Sequence, residues 1–122
     1  MEEHDRMYKE HLMELYKSPA NYGNLKNPTH SHTETNSSCG DEITIQLLVS
    51  DGKIAEVKFH GSGCVMSIVS SSLLSDKIKG MPVSEAINLS KDDVLELLKI
   101  NLNPARLKCV TLPLYAIKNS LK

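Results

Sequence analysis

The chain has 122 residues, 40% of them apolar, and its 14 basic and 15 acidic side chains give a formal net charge of -1. That length suits one domain, residues 1–122, with one modest core. The near-neutral balance, the absence of Trp and the single Phe exclude a basic nucleic-acid face with stacking platforms. No apolar run reaches transmembrane length, so no membrane span is expected. The N-terminal MEEHDRMYKE is too charged for a secretion signal, and the expected compartment is the cytoplasm.

In chain order, Asp5 to Lys17 reads as a helix, with Met7, Leu12, Leu15 and Tyr16 on one stripe and Ser18-Pro19 ending it. Asn21 to Ser38 is polar and reads as a long loop, with His30 and His32 as solvated loop histidines. Ile43, Ile45, Leu47 and Val49 alternate with more polar residues and predict a strand. Ala55, Val57 and Phe59 predict a second strand after the Asp51-Gly52 turn. Matching the apolar faces sets Leu47 against Val57 and Ile45 against Phe59. That register calls for a three-residue connection, Asp51-Gly52-Lys53, with a bulge. Carried to the open end of the hairpin, it puts Asp41 opposite Gly63 and Cys39 next to Cys64.

Val65 to Lys79 reads as a helix despite serines at 67, 70, 71, 72 and 75, which fit either close packing or solvent exposure. Gly80 caps it. Pro82 to Leu89 suggests a short helix, and Ser90-Lys91-Asp92-Asp93 resembles a capping box leading into Val94 to Lys99. A last helix is expected to begin between Thr111 and Pro113, since proline fits a first turn.

The chemistry gathers at three cysteines, an odd count that argues against a disulfide-stapled secreted domain. Cys39, Asp41, Cys64 and Cys109 offer three thiolates and a carboxylate. Such a set completes a tetrahedral zinc shell or holds iron and sulfide. Asp41 is the hard, replaceable member, which suits a site that must open. A structural zinc knuckle would more often show a close Cys-x-x-Cys pair, and the chain has none. Cys109, beside Lys108 and before the expected last helix, is the candidate nucleophile. Lys108, ordinarily a surface lysine, is the candidate for a direct chemical role beside it.

At these residues the chain resembles the NifU-type iron–sulfur scaffolds, the group that includes IscU and SufU. HLMELYKSPANYGNL, SSCGDEITIQLLVSDGKIAEVKFHGSGC, the serine-rich helix with Lys79-Gly80, and RLKCVTL all resemble segments of that family. The resemblance implies an α+β fold, a small antiparallel sheet of about three strands with helices packed on one face. Its third strand would come from Leu25 to Thr35. It implies Cys39, Cys64 and Cys109 as cysteine ligands, with Asp41 as fourth ligand or labilising group.

The implied function is iron–sulfur cluster assembly. A pyridoxal-phosphate-dependent cysteine desulfurase would supply sulfur, and iron or a transient [2Fe-2S] cluster would be held and passed to apo-acceptor proteins. Lys108 stands where the IscU branch has His and the SufU branch has Lys. The alternative implied is therefore a SufU-like zinc-dependent sulfurtransferase that relays persulfide sulfur and stimulates the desulfurase. The SufU insertion before this segment is missing. Asn103 to Leu107 replaces the chaperone-binding Leu-Pro-Pro-Val-Lys of the IscU branch, so a dedicated Hsp70 partner is not implied.

Overall fold

The structure, a computed structural model, describes residues 2–36, 40–98 and 104–122, with side chains described from residue 10 onward and, in the last helix, from residue 107. Its elements run α1 (Glu2–Lys17), β1 (His30–Asn36), β2 (Asp41–Ser50), β3 (Lys53–Ser62), α2 (Val65–Ile78), α3 (Val83–Ala86), α4 (Lys91–Leu98) and α5 (Pro104–Ser120). The three strands form one antiparallel sheet in the order β1-β2-β3.

The hairpin follows from its alternation. Ile45 pairs with Phe59 and Leu47 with Val57, the expected register. Ile43, Ile45, Leu47 and Phe59 are completely buried, and each such side chain contributes about 1.5–3 kcal/mol of hydrophobic stabilisation. The connection differs from expectation. Ser50 pairs with Lys53 across a two-residue Asp51-Gly52 turn, with both φ angles positive as a tight hairpin turn requires. The extra residue lies in β3 instead, where the register shifts opposite Leu48 and Val49. Ala55 is bulged outward and exposed, and Ile54 takes the core position, fully buried.

Two other expectations need correction. The polar segment read as loop contains β1 from His30 to Asn36, paired along its length with β2. His30 and His32 are half-buried strand residues, and His32 Nε2 lies 2.7 Å from Glu34 Oε2. An edge strand needs no apolar alternation when a helix covers one face, and here α5 does so. Asn119 on α5 donates to the same Glu34 oxygen at 3.0 Å. The last helix begins at Pro104, about two to two and a half turns before its expected start. Pro104 is the proline of the first turn, and Pro113 is an interior one.

The core lies between the sheet and helices α2 and α5. Helix α2 is buried nearly all round, including the serines at 67, 70, 71, 72 and 75. Each of these hydroxyls is hydrogen-bonded. Ser72 and Ser75 fix the stretch after α1. Ser72 Oγ accepts the Ala20 N–H at 2.8 Å, and Ser75 Oγ accepts from Asn21 Nδ2 at 2.9 Å. Close packing, rather than exposure, explains the serines. Among the described residues, no helix is long and apolar enough to cross a membrane.

Candidate metal centre

Three elements deliver the site. Asp41 is the first residue of β2, Cys64 the residue just before α2, and Cys109 the sixth residue of α5. Their ligand atoms, one carboxylate oxygen and two Sγ atoms, all lie within 4.8 Å of one another. Asp41 and Cys109 are buried, 3% and 7% exposed, while Cys64 is exposed. Cys39, the fourth expected member, lies outside the described residues.

The hairpin creates this meeting. Pairing continues to Glu42 and Ser62, so the first residues of β2 and the chain leaving β3 stay side by side. Two glycines shape this end, Gly61 by its backbone conformation and Gly63 by the room it leaves. At Gly61, φ is +150°, and a Cβ would sit 2.1 Å from the Glu42 carbonyl oxygen, inside contact distance. At Gly63, a Cβ would stand 3.1 Å from Asp41 Cγ and 3.2 Å from Oδ1. The space beside the carboxylate exists because residue 63 has no side chain.

Asp41 is held at both oxygens. The Cys64 N–H donates to Oδ1 at 3.1 Å, and the Ser67 hydroxyl donates to Oδ2 at 2.6 Å. A buried carboxylate requires such donors, since burial removes its water. Ser67 Oγ also lies 3.1 Å from the Cys109 carbonyl and 3.6 Å from Cys64 Sγ. This one hydroxyl therefore touches all three described members of the cluster. Ser67 is a member of the cluster that the motif pattern alone does not single out. Its signal was there: three residues after Cys64 at a helix start, it falls on the same face one turn on.

The position of Cys109 revises one electrostatic argument. It stands in the second turn of α5, so the unpaired N–H groups of a helix start belong to earlier residues. Lys108 is exposed and lines a shallow cleft of about 320 Å³ with Glu34, Thr35, Asn36, Thr111, Leu112 and Tyr115. A second cleft of about 590 Å³ opens on the Cys64 side, between Tyr16, Lys17, Pro19, Tyr22, Gly61–Gly63 and Ile68. Tyr22 donates to the Gly61 carbonyl at 3.1 Å and sets its ring edge-on to Phe59.

The donor set fits a thiophilic metal. Two sulfurs and a carboxylate oxygen converge, and zinc or an iron–sulfur species accepts such a mixture. A hard carboxylate beside soft thiolates gives one exchangeable position.

Comparison with known proteins agrees with this architecture. Residues 7–122 match the NifU-like N terminal domain. The chain is 34% identical to the iron–sulfur cluster assembly scaffold protein IscU of Thermotoga maritima, over 95% of this chain and 93% of that one. It is 29% identical to the zinc-dependent sulfurtransferase SufU of Bacillus subtilis, over 96% and 90% of the two chains. A crystal structure from Fervidobacterium islandicum, of a proposed iron–sulfur cluster assembly scaffold protein for the SUF system, superposes with a TM-score of 0.77 at 28% identity. It covers 91% of this chain and 93% of that one. By sequence over nearly its whole length, and by a three-stranded sheet with helices behind it, the chain belongs to the NifU-like N-terminal domain family.

Proposed function

We propose that this protein, acting as one domain, is an iron–sulfur cluster assembly scaffold. It takes sulfur from a cysteine desulfurase, holds iron or a transient [2Fe-2S] cluster as its cargo, and hands the cluster to apo-acceptor proteins. The observation that carries the proposal is the convergence of Asp41, Cys64 and Cys109 at the meeting point of β2, α2 and α5. Family membership supports it, as does the scaffold role for which the Thermotoga relative is named.

Cys39 is the proposed fourth ligand, because it precedes Asp41 by two residues. In sulfur transfer, the Cys109 thiolate attacks the terminal sulfur of the desulfurase persulfide. A new S–S bond forms, the old one breaks, and the desulfurase cysteine leaves as thiolate. Since Cys109 is buried, the transfer needs that face to open on docking. Lys108, exposed next to it, is the proposed cationic neighbour of the incoming persulfide.

A second reading has its own support. The SufU relative is named as a zinc-dependent sulfurtransferase, and Lys108 is the residue that the resemblance ties to that branch. In this reading zinc is resident and orients the thiolates, and the protein relays sulfur without building a cluster.

One experiment separates them. Purified protein is incubated without oxygen with desulfurase, cysteine and ferrous iron. A scaffold develops visible absorbance with acid-labile sulfide and then activates an apo-acceptor. A zinc relay keeps its metal and accelerates cysteine turnover. Intact-mass measurement of Cys109→Ser in the same mixture, before iron is added, checks the acceptor. Added sulfur should be lost from this variant. Wild-type levels of added sulfur would move the acceptor role to Cys39 or Cys64.

A further inference from the structure

The stretch between α1 and β1 reaches the candidate site from outside the sheet. Its residues Asn21 to Gly23 lie along the outer edge of β3, parallel to it at Phe59. The Phe59 N–H donates to the Asn21 carbonyl at 2.9 Å, and the Gly23 N–H donates to the Phe59 carbonyl at 2.8 Å. Asn21 holds a positive φ of 65°, which asparagine tolerates. Its side chain donates to Ser75 Oγ and Asp76 Oδ1 on α2, at 2.9 Å each. The segment is thus fixed to both the sheet and α2 before the Tyr22 side chain makes any contact of its own.

Residues two apart on a strand direct their backbone N–H and C=O groups to the same side. Phe59 and Gly61 therefore both face this outer edge. The backbone of the segment serves Phe59, and the side chain of Tyr22 serves Gly61. Its hydroxyl donates to the Gly61 carbonyl at 3.1 Å, and the Gly61 N–H reaches the same oxygen at 3.5 Å. The ring packs edge-on against Phe59, with centroids 5.3 Å apart. The phenol stands where a further backbone partner would continue the edge.

What it holds is the run into a ligand. Pairing with β2 stops at Ser62, and Gly61-Ser62-Gly63 leads directly to Cys64. Two of these three residues are glycines, which lose the most freedom on being ordered and have no side chain to anchor them. Tyr22 is 47% exposed, so burial in the core does not account for its placement.

We propose that Tyr22 is a positioning residue for Cys64. Its hydroxyl latches Gly61, and so keeps the two-glycine run and the thiol after it at the metal. With the latch released, Cys64 swings toward the cleft that Tyr22 and Gly61–Gly63 line. This inference rests on the metal site proposed above, and deepens it by naming what holds its exposed ligand.

The test compares Tyr22→Phe, which keeps the ring and removes only the hydroxyl, with Tyr22→Ala, which removes both. Two quantities are read. One is the rate of zinc transfer to a chromophoric chelator. The other is amide hydrogen exchange at Cys64 in the metal-free protein, followed by NMR. Loss of one hydrogen bond should speed both about two- to tenfold in Tyr22→Phe, with Tyr22→Ala at least as fast. Asp93→Asn, a change at the exposed cap of α4, should leave both at wild-type values.

Wild-type values in Tyr22→Phe would show that the ring alone matters and overturn the proposal. So would faster zinc loss with Cys64 exchange unchanged. Equal acceleration in Asp93→Asn would mark a general loss of stability and overturn it too. A wild-type protein that binds no zinc would remove the metal site itself, whereas the exchange measurement needs no metal and still decides the latch.

Discussion

Asp41 is the residue on which the proposed chemistry turns. It is buried, doubly hydrogen-bonded and the only hard donor among the described members of the cluster. Exchange at a mixed site proceeds most readily through the ligand least matched to the metal. Asp41→Ala should therefore leave three thiolates that retain a cluster longer. Transfer to an apo-acceptor is expected to slow roughly tenfold, the scale of single changes around a metal site, with cluster content unchanged or higher. Stopped transfer assays on reconstituted protein would show it, and faster release from the alanine variant would contradict it. At this scale the sequence singled out the cysteines and Asp41, whose types and neighbours are unusual, and the structure brings Asp41, Cys64 and Cys109 together. It was uninformative about Ser67, because a serine on a serine-rich helix has the same local signature whether it faces solvent or a carboxylate.

At the scale of elements, legibility followed apolar periodicity. The β2–β3 register could be read because only one pairing matches Ile45 with Phe59 and Leu47 with Val57. The bulge at Ala55 could not, since moving one extra residue from turn to strand leaves the distal pairs unchanged. Strand β1 was hidden because HSHTETN has no apolar alternation, and its pairing is dictated by β2 and α5. The start of α5 was misplaced because two prolines compete for the first-turn position, and tertiary bonds from α2 sustain the helix through the second. The cap of α4 was legible. Ser90 N–H donates to Asp93 Oδ2 at 2.8 Å, and Asp93 N–H donates back to Ser90 Oγ at 3.3 Å. The Ser90 backbone donor, then its hydroxyl, hold the Asp93 carboxyl below its ordinary value of 3.8. A carboxyl lowered on folding stabilises the protein above its unfolded value and loses that contribution as pH falls through the folded one. Asp93→Asn should lower the melting temperature at neutral pH, and the gap from wild type should close as pH drops below 3.8. A gap that persists unchanged in acid would assign the effect to something other than the charged cap.

On the scale of the whole molecule, the fold gathers residues that lie 23 and 45 positions apart, since 64 − 41 = 23 and 109 − 64 = 45. A hairpin brings the first pair together, and the packing of α5 against α2 and β2 brings the third. The arrangement places the exposed Cys64 at the mouth of a candidate site whose other described members, Asp41 and Cys109, are buried. That suits a cargo held between elements and released by small movements among them. Both proposed functions require Cys39, Asp41, Cys64 and Cys109 to make one metal site. X-ray absorption at the zinc edge of stoichiometrically loaded protein measures this directly. The expected result is a four-coordinate shell of three sulfurs at about 2.3 Å and one oxygen at about 2.0–2.2 Å, with one sulfur lost in Cys39→Ser. A shell of nitrogen and oxygen alone, or one whose sulfur count is unchanged when Cys39, Cys64 or Cys109 is replaced by serine, would contradict it.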